Sequence, residues 1–238
     1  MIAGKLLWAF VLCVLAPMSA VALPFCDLER SETSRVVSIV DGDTVVLQDG
    51  REVRLVGLQA PKLALGRRNF TDWPLAAEAR ETLAALVKNE DVRLSYGGRR
   101  EDRYGRLLAH LHLTDGRWVQ GAMIAKGLAR VYSFPDNRSC VAELLHLEKE
   151  AREARRAIWG HPYYAVRPAG EPDNLLAHID SFQLVEGIVQ GAALVRGRLY
   201  LNFGDDWRED FTVTIAPKHR HQFSEDLEVY RDARLRVR

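Results

Sequence analysis

Polar and apolar residues alternate along residues 35–58, which is the pattern of half-buried β-strands. RVVSIV and TVVLQ flank the turn DGD at residues 41–43, and TVVLQ and REVRLVGL flank the turn DG at residues 49–50. An Asp-Gly pair between β-branched runs is a strong local signal for a hairpin. This stretch therefore predicts a three-stranded antiparallel meander.

The periodicity becomes helical after a polar loop. Pro74 opens PLAAEARETLAALVK, whose apolar residues recur every three or four positions. DVRLSYGG and RLLAHLHL predict two more strands, WVQGAMIAKG a short helix, and the stretch from Ser139 as N-cap to Trp159 a long helix. Five strands with a helix between the third and the fourth predict an OB-type barrel with helices at its C-terminal end.

The rest of the chain predicts a linker and a second unit. Residues 161–177 are rich in proline, and residues 178–238 contain several short alternating runs with a helix near residues 221–230. This small β-rich module is near the lower size limit for independent folding, and an incomplete OB-like fold is one interpretation. The predicted class is mainly β with helices (α+β), with residues 23–160 as the OB-type domain.

Residues 1–22 are expected to be a secretory signal peptide. Lys5 precedes an apolar stretch, and Ala-Val-Ala at residues 20–22 is a cleavage sequence, so cleavage is expected before Leu23. An uncleaved anchor helix is the alternative, but the apolar run is shorter than the ~18–20 residues that span a bilayer. We expect an exported protein, periplasmic or secreted, with no membrane span after cleavage.

Charge and cysteines narrow the classes of function. Loss of Lys5 with the leader leaves 32 basic and 32 acidic side chains. Zero net charge argues against a protein that coats nucleic acid, so contact with nucleic acid would need a local patch. Cys26 and Cys140 remain after cleavage, and in an oxidising compartment they predict a disulfide, with two separate buried thiols as the alternative.

Four side chains near the predicted barrel suit phosphate chemistry. Asp41 and Asp43 lie in one tight turn, and carboxylates in a turn suit a hard cation such as calcium. Arg54 lies on the third predicted strand and Arg106 begins the fifth, and arginine donates bidentately to phosphate while remaining charged. Each signal alone fits an ordinary hairpin turn or an exposed strand residue.

The order of the motifs carries more information than any of them singly. VVSIVDGDTVVL, REVRLVGLQAP, EDRYGRLLAHL, WVQGAMIAKGLARVY and CVAELLHLEKEAREARRAIW follow one another over residues 35–160. Together they resemble the thermonuclease (staphylococcal nuclease-like) family. The resemblance implies an OB-type barrel, a nuclease acting on DNA or RNA, Asp43 as a calcium ligand, and Arg54 and Arg106 as the residues that hold the scissile phosphate.

The loop after the third strand departs from that family's pattern. Where the pattern has Asp-Thr-Pro-Glu, with the aspartate on calcium and the glutamate as general base, this chain has Gln59, Ala60, Pro61 and Lys62. Gln59 offers a carbonyl oxygen as a weak metal ligand. A protonated Lys62 cannot accept a proton from water, and its charge repels calcium.

These residues leave two functions open. In the first, the chain hydrolyses phosphodiesters, with Arg54, Arg106 and Lys62 as catalytic candidates and calcium in a weakened site formed by Asp41, Asp43 and Gln59. Lys62 would then act as a desolvated base or neutralise the phosphate directly, or a carboxylate at residues 101–102 would approach the site. In the second, the barrel binds nucleic acid or a protein partner without turnover. A third possibility, a purely structural role in the envelope, has only the altered loop and the neutral charge in its favour.

Two further groups of residues could have either a functional role or an ordinary structural one. Arginines in the two loops beside the predicted site form either a local track for a nucleic-acid backbone or solvated loop charge. These arginines are Arg67, Arg68, Arg99, Arg100 and Arg103. His110 and His112 share one face of a predicted strand but lack a third ligand nearby, so we expect half-exposed histidines and not a metal pair.

Overall fold

A computed structural model describes Cys26 and residues 28–179 and 181–238. The expected signal peptide therefore lies outside the described residues. No helix in the described part of the chain is long and apolar enough to cross a membrane.

A closed five-stranded barrel forms the first half of the molecule, and the predicted OB-type fold is confirmed. The first six strands of the chain are β1 (Glu29–Asp41), β2 (Thr44–Leu47), β3 (Glu52–Leu55), a short β4 (Leu58–Gln59), β5 (Asp91–Tyr96) and β6 (Leu107–Leu113). The barrel strands lie in the order β1, β2, β3, β6, β5, and β3 and β6 pair in parallel.

The predicted three-stranded meander forms, and its two tight turns connect the strands. The DGD turn lets β1 return as β2, and the DG turn at residues 49–50 lets β2 return as β3, both antiparallel. Alternate strand positions such as Val45, Val53 and Leu55 are fully buried inside the barrel. The two turns thus place residues 41–43 at one end of the barrel, beside the carboxyl end of β3.

Three helices cover one side of the barrel, and a fourth follows later. They are α1 (Ala76–Val87), α2 (Val119–Ala125), α3 (Val141–Glu153) and α4 (Pro172–Leu176). The strand β7 (Arg130–Val131), between α2 and α3, pairs with β4 and brings the chain back to the loop after β3.

Helix α3 is shorter at both ends than predicted. Its N-cap is Cys140, and the hydroxyl of Ser139 donates to the backbone carbonyl of Gly97 and so does not cap the helix. At the other end Arg155 and Ala157 adopt positive φ, which interrupts the α-helix before a short 3₁₀ turn over Ala157–Gly160.

The C-terminal part has its own hydrophobic cluster. Its strands are β8 (Arg167–Pro168), β9 (Val185–Ile188), β10 (Gly191–Val195), β11 (Arg198–Asn202), β12 (Thr212–Ile215) and β13 (Arg234–Val237). They form two three-stranded sheets around Leu199, Leu201 and Phe203. The prediction of a helix near residues 221–230 is wrong, because only the 3₁₀ turns Pro217–Gln222 and Glu228–Tyr230 form there. The proposed division at residues 161–177 stays a prediction.

A disulfide joins the start of the barrel to the start of α3. The structure bonds Cys26 to Cys140, with their Cα atoms 5.2 Å apart and a sequence separation of 114. The bridge closes a loop that contains all five strands of the barrel.

Candidate functional site

The turn between β1 and β2 presses against the loop after β4. A Cβ atom at Gly42 would lie 2.7 Å from the Cβ of Ala60 and 2.8 Å from that of Ala79. Only glycine allows so close an approach. The turn, the loop and helix α1 are therefore fixed relative to one another, and the side chain of Asp43 is enclosed between them with 0% exposure.

Protein donors surround the Asp43 carboxylate. Lys62 Nζ lies 2.9 Å from Oδ1 and 2.7 Å from Oδ2, and the backbone N–H of Ala60 donates to Oδ2 at 3.0 Å. The Thr44 hydroxyl donates to Oδ1 at 3.2 Å, and Arg54 Nη1 donates to the same oxygen. Two cations and two neutral donors thus share this carboxylate.

The two aspartates of the turn differ in their acidity. Burial alone would raise the pKa of Asp43, but the charges of Arg54 and Lys62 outweigh it and hold that pKa below its ordinary value. Burial and the nearby charge of Asp43 raise the pKa of Asp41, and Lys62 only partly opposes them. Asp43 is thus the carboxylate that the surrounding charges keep ionised.

Lys62 is held in place from its backbone as well as from its side chain. Its carbonyl accepts a hydrogen bond from the Trp73 N–H at 2.9 Å, and its side chain is only 18% exposed. Besides Asp43, its Nζ lies 3.4 Å from Asp41 Oδ2. An ammonium that donates to two carboxylates has no lone pair with which to accept a proton, so this arrangement does not make Lys62 a base.

Gln59 is engaged elsewhere. Its Oε1 accepts hydrogen bonds from Arg130 Nη2 at 2.8 Å and Nε at 3.2 Å. Arg130 is buried, and this burial lowers its pKa to about 10. Its Nη1 also donates to the Phe182 carbonyl at 3.1 Å, and its guanidinium lies 3.9 Å from the centre of the Phe182 ring.

Arg54 and Arg106 line one cleft beside the barrel. The cleft has a volume of about 430 Å³ and is also lined by Arg99, Asp102, Arg103, Tyr104, Tyr132, Phe134 and Asp136. Arg106 is oriented by Asp102, whose Oδ2 lies 2.8 Å from Nε and 2.7 Å from Nη2. Burial alone would raise the pKa of Asp102, but hydrogen bonds from Arg106 and from the Tyr104 N–H outweigh it and lower the pKa.

The cleft is positive although the whole chain is almost neutral. Four arginines and two aspartates line it, and one of the aspartates, Asp136, lies 3.8 Å from Arg99. Local excess charge of this kind attracts anions. Of the five loop arginines singled out in the sequence, the structure brings Arg99 and Arg103 to the cleft.

The remaining loop arginines serve other contacts. Arg67 donates to the carbonyls of Leu63 and Ala64, and Arg100 forms an exposed ion pair with Glu29. Arg68 is exposed and makes no hydrogen bond with any of the described residues.

The cleft also contains three aromatic residues that the sequence patterns do not predict to be part of a site. They are Tyr104, which is 68% exposed, Tyr132 and Phe134. A signal was present, since Tyr104 lies inside DRYGR beside Arg106, and Tyr132 and Phe134 alternate in RVYSF. What the sequence did not show is that residues so far apart meet at one surface.

The predicted exposure of the strand histidines is wrong. His110 and His112 are 3% and 9% exposed. Trp118 Nε1 donates to His110 Nδ1 at 3.3 Å, and the rings of His112 and Trp118 stack. These histidines belong to the packing between β6 and the start of α2.

The turn does not provide a set of ligands for calcium. Calcium takes six to eight oxygen ligands, whereas both oxygens of Asp43 already accept from donors, two of them cationic. Oδ1 of Asp41 accepts the Asp43 N–H at 3.1 Å, and the side-chain oxygen of Gln59 is held by Arg130. Nowhere in the described part of the chain do three or more His, Cys, Asp or Glu side chains form a group suited to a metal ion. The residues present do not fit the calcium that the resemblance implies.

The chain is thus a closed OB-type barrel protein with a positive cleft that is lined in part by aromatic side chains. A sequence profile described as "Staphylococcal nuclease homologue" matches residues 52–161. A thermonuclease of Staphylococcus hyicus is 30% identical over 56% of this chain and 78% of its own length. An uncharacterized endonuclease of Escherichia coli is 32% identical over 52% and 75%, and a thermonuclease of Staphylococcus intermedius is 32% identical over 55% and 77%. The chain belongs to the staphylococcal nuclease family.

Proposed function

We propose that this protein is a nuclease that holds the backbone of DNA or RNA in the cleft and hydrolyses a phosphodiester bond there. The observation that carries the proposal is that Arg54 and Arg106 line the same positive cleft. The relatives described above as thermonucleases or an endonuclease support the same function.

The two arginines suit a phosphate because of how they are held. Nε and Nη2 of Arg106 contact the Asp102 carboxylate, while Nη1 has no hydrogen-bond partner among the described residues. Arg54 is 15% exposed and contacts Asp43 with Nη1, so it connects the buried turn to the open cleft. Guanidinium groups oriented in advance can bind a phosphate and stabilise the charge that develops during its hydrolysis.

The aromatic side chains suit the bases on either side of that phosphate. Tyr104 and Phe134 are exposed in the cleft, and the rings of Tyr132 and Phe134 lie 5.1 Å apart, edge to face. Stacking a base on an aromatic ring contributes about 1–3 kcal/mol and tolerates any sequence. A phosphate site with stacking surfaces beside it favours a single-stranded or unpaired substrate.

Hydrolysis adds water to phosphorus and breaks one P–O ester bond. The water loses a proton and the departing oxygen gains one, so the reaction benefits from a proton acceptor. Lys62 occupies the general-base position of the family pattern and donates hydrogen bonds to Asp43. This observation favours a second candidate function, in which the cleft binds nucleic acid without cleaving it.

A cleavage and binding assay separates the two. Purified protein with its disulfide intact would be incubated with end-labelled single- and double-stranded DNA and RNA, in EDTA and in calcium. Products that disappear with Arg106→Ala but persist with Arg117→Ala would support the nuclease. Arg117 is a matched control, since it pairs with Asp115 outside the cleft. Binding without products, again lost only with Arg106→Ala, would support the second function, and absence of both would contradict both.

We also propose that the mature protein is exported to the periplasm or secreted. The leader pattern of residues 1–22 and the pairing of Cys26 with Cys140 support this location. N-terminal sequencing of the protein recovered outside the cytoplasm should begin at Leu23. An intact leader on that protein would contradict the proposal.

A further inference from the structure

The buried turn of the barrel contains a cation that belongs to the chain. The amine of Lys62 lies within 3.4 Å of carboxylate oxygens on both Asp41 and Asp43. The ammonium group donates hydrogen bonds to both carboxylates, in the way that a metal ion bound between them would contact both. The space between the two aspartates is therefore occupied by a positive charge that is covalently part of the chain.

We infer that Lys62 takes the place of a divalent metal ion in this protein, so that the site neither needs calcium nor binds it. The inference deepens the proposed function. It rests on that function only where it concerns how nucleic acid is bound or cleaved. The contacts around Asp43 can be tested without any nucleic acid.

The first argument is that the ligand oxygens are saturated. A carboxylate has about four lone-pair positions, and the two oxygens of Asp43 accept from Lys62, Arg54, Thr44 and Ala60. Calcium would have to displace several of these donors. It would also have to enter beside two positive charges within hydrogen-bonding distance of the same carboxylate, which repel it.

The second argument is that the loop is built to return Lys62 to the turn. The Ala60 N–H donates to Asp43, and Trp73 donates to the Lys62 carbonyl. The contacts of Gly42 with Ala60 leave no room for the loop to move inward. Because the backbone is fixed on both sides of Pro61, the lysine reaches the carboxylates without a rearrangement.

The third argument is that the buried carboxylates need a positive charge. Asp43 is fully enclosed, and an uncompensated buried charge is costly. Arg54 alone would have to neutralise Asp43 while also facing the cleft. With Lys62 on the inner side, Arg54 keeps its place at the cleft and remains available to a phosphate.

The test begins with the unmodified protein. Calcium titrated into it should give no binding heat, and its Tm should be the same in EDTA and in millimolar calcium. A stoichiometric binding isotherm, or a Tm that rises with calcium, would overturn the inference. This measurement depends on no variant.

Variants of Lys62 test the same point from the other side. Lys62→Met keeps the length of the side chain and removes its charge, so the Tm in EDTA should fall by about 5–10 °C. Lys62→Glu places three carboxylates together, and calcium should then bind at least about 10-fold more tightly than to the unmodified protein and raise the Tm. Lys88→Met is the control, because Lys88 is exposed at the end of α1.

Two results from the variants would contradict the inference. One is a folded Lys62→Glu protein that binds calcium no better than the unmodified protein. The other is a Lys62→Met protein as stable as Lys88→Met. Failure of the proposed function would give a different result. Nucleic acid would then show no binding that depends on Arg106, both with and without calcium.

Discussion

Arg106 owes its position in the cleft to Asp102. The carboxylate holds one edge of the guanidinium and also accepts the backbone N–H of Arg106 at 3.1 Å. The sequence left open whether Asp102 approaches the site as a catalytic carboxylate. In the structure it orients the arginine, and a carboxylate in that ion pair is not a free proton acceptor.

Replacing Arg106 with alanine should weaken binding of a short oligonucleotide by about 10- to 150-fold. The reason is loss of a charge-assisted contact to phosphate, which contributes about 1.5–3 kcal/mol. Fluorescence anisotropy at fixed salt measures the change. Arg117→Ala should leave the affinity unaltered, and equal affinities for the two variants would remove the phosphate-binding role of Arg106.

The elements nearest in sequence were the most predictable. The two Asp-Gly turns and the alternation of the flanking strands depend on local conformation, and the meander formed as predicted. The end of α3 was misplaced because positive φ at Arg155 and Ala157 interrupts a run of good helix formers. The pairing of β4 with β7 was missed because strands of two residues leave no periodic pattern.

The candidate site could also be predicted only in part from the sequence. The order of the motifs indicated which residues face one another, and the structure does bring Arg54, Lys62 and Asp43 together. The partner of Gln59 was not predictable, because Arg130 comes from a strand far along the chain. Pairwise contacts of this kind depend on the closed barrel and not on any local pattern.

Strand β6 should make the protein sensitive to mild acid. Burial lowers the pKa of His110 to about 3 and that of His112 to about 4, and Arg93 and Arg30 add to the effect at His112. The unfolded chain takes up protons at these histidines below pH ~6.5, whereas the folded protein does not until lower pH. This part of the stability is therefore complete above pH ~6.5 and is lost as the pH falls toward ~4.

Urea unfolding at several pH values measures that loss. Each histidine contributes at most about 1.4 kcal/mol per pH unit, and less where the ring is partly solvated. Replacing His110 and His112 together with glutamine should flatten the profile between pH ~6.5 and ~4.5. The control is His146→Gln, since His146 is exposed on α3. A profile as steep in the double variant as in the control would contradict the assignment.

At the scale of the whole molecule, the C-terminal part is attached to the barrel side by a buried ion cluster. Glu148 on α3 is completely buried and accepts from Arg152 at 3.0 Å and from the Val131 N–H at 2.6 Å. Arg238 donates to both oxygens of the same carboxylate, at 3.0 and 2.5 Å. Arg130 provides a second link, because its guanidinium donates both to the Phe182 carbonyl and to the side chain of Gln59 on β4.

Removing Arg238 should therefore destabilise the protein. Arg238→Ala leaves Glu148 with Arg152 and a backbone donor, so we expect a loss of about 1.5–3 kcal/mol in the free energy of unfolding. Arg231→Ala, which breaks an exposed pair with Glu228, should cost less than about 0.5 kcal/mol. Equal losses in the two variants would show that the cluster does not hold the two parts together.

The disulfide should be a large contribution to stability. Closing a loop of this length restricts the unfolded chain by about 4–5 kcal/mol in the chain-entropy model. Unreduced protein should show no titratable thiol at Cys26 or Cys140, and reduction should lower the free energy of unfolding by several kcal/mol. Two free thiols in protein purified without reductant would contradict the bond.

The most direct test of the whole account is the calcium dependence of nucleic-acid binding. Anisotropy of a labelled phosphorothioate oligonucleotide, which resists hydrolysis, would be measured with the purified protein in EDTA and again in calcium. Because Lys62 and the cleft arginines supply the positive charge, the Kd should agree within about 2-fold between the two conditions. Binding that requires calcium, or that calcium tightens by about 10-fold or more, would contradict the account.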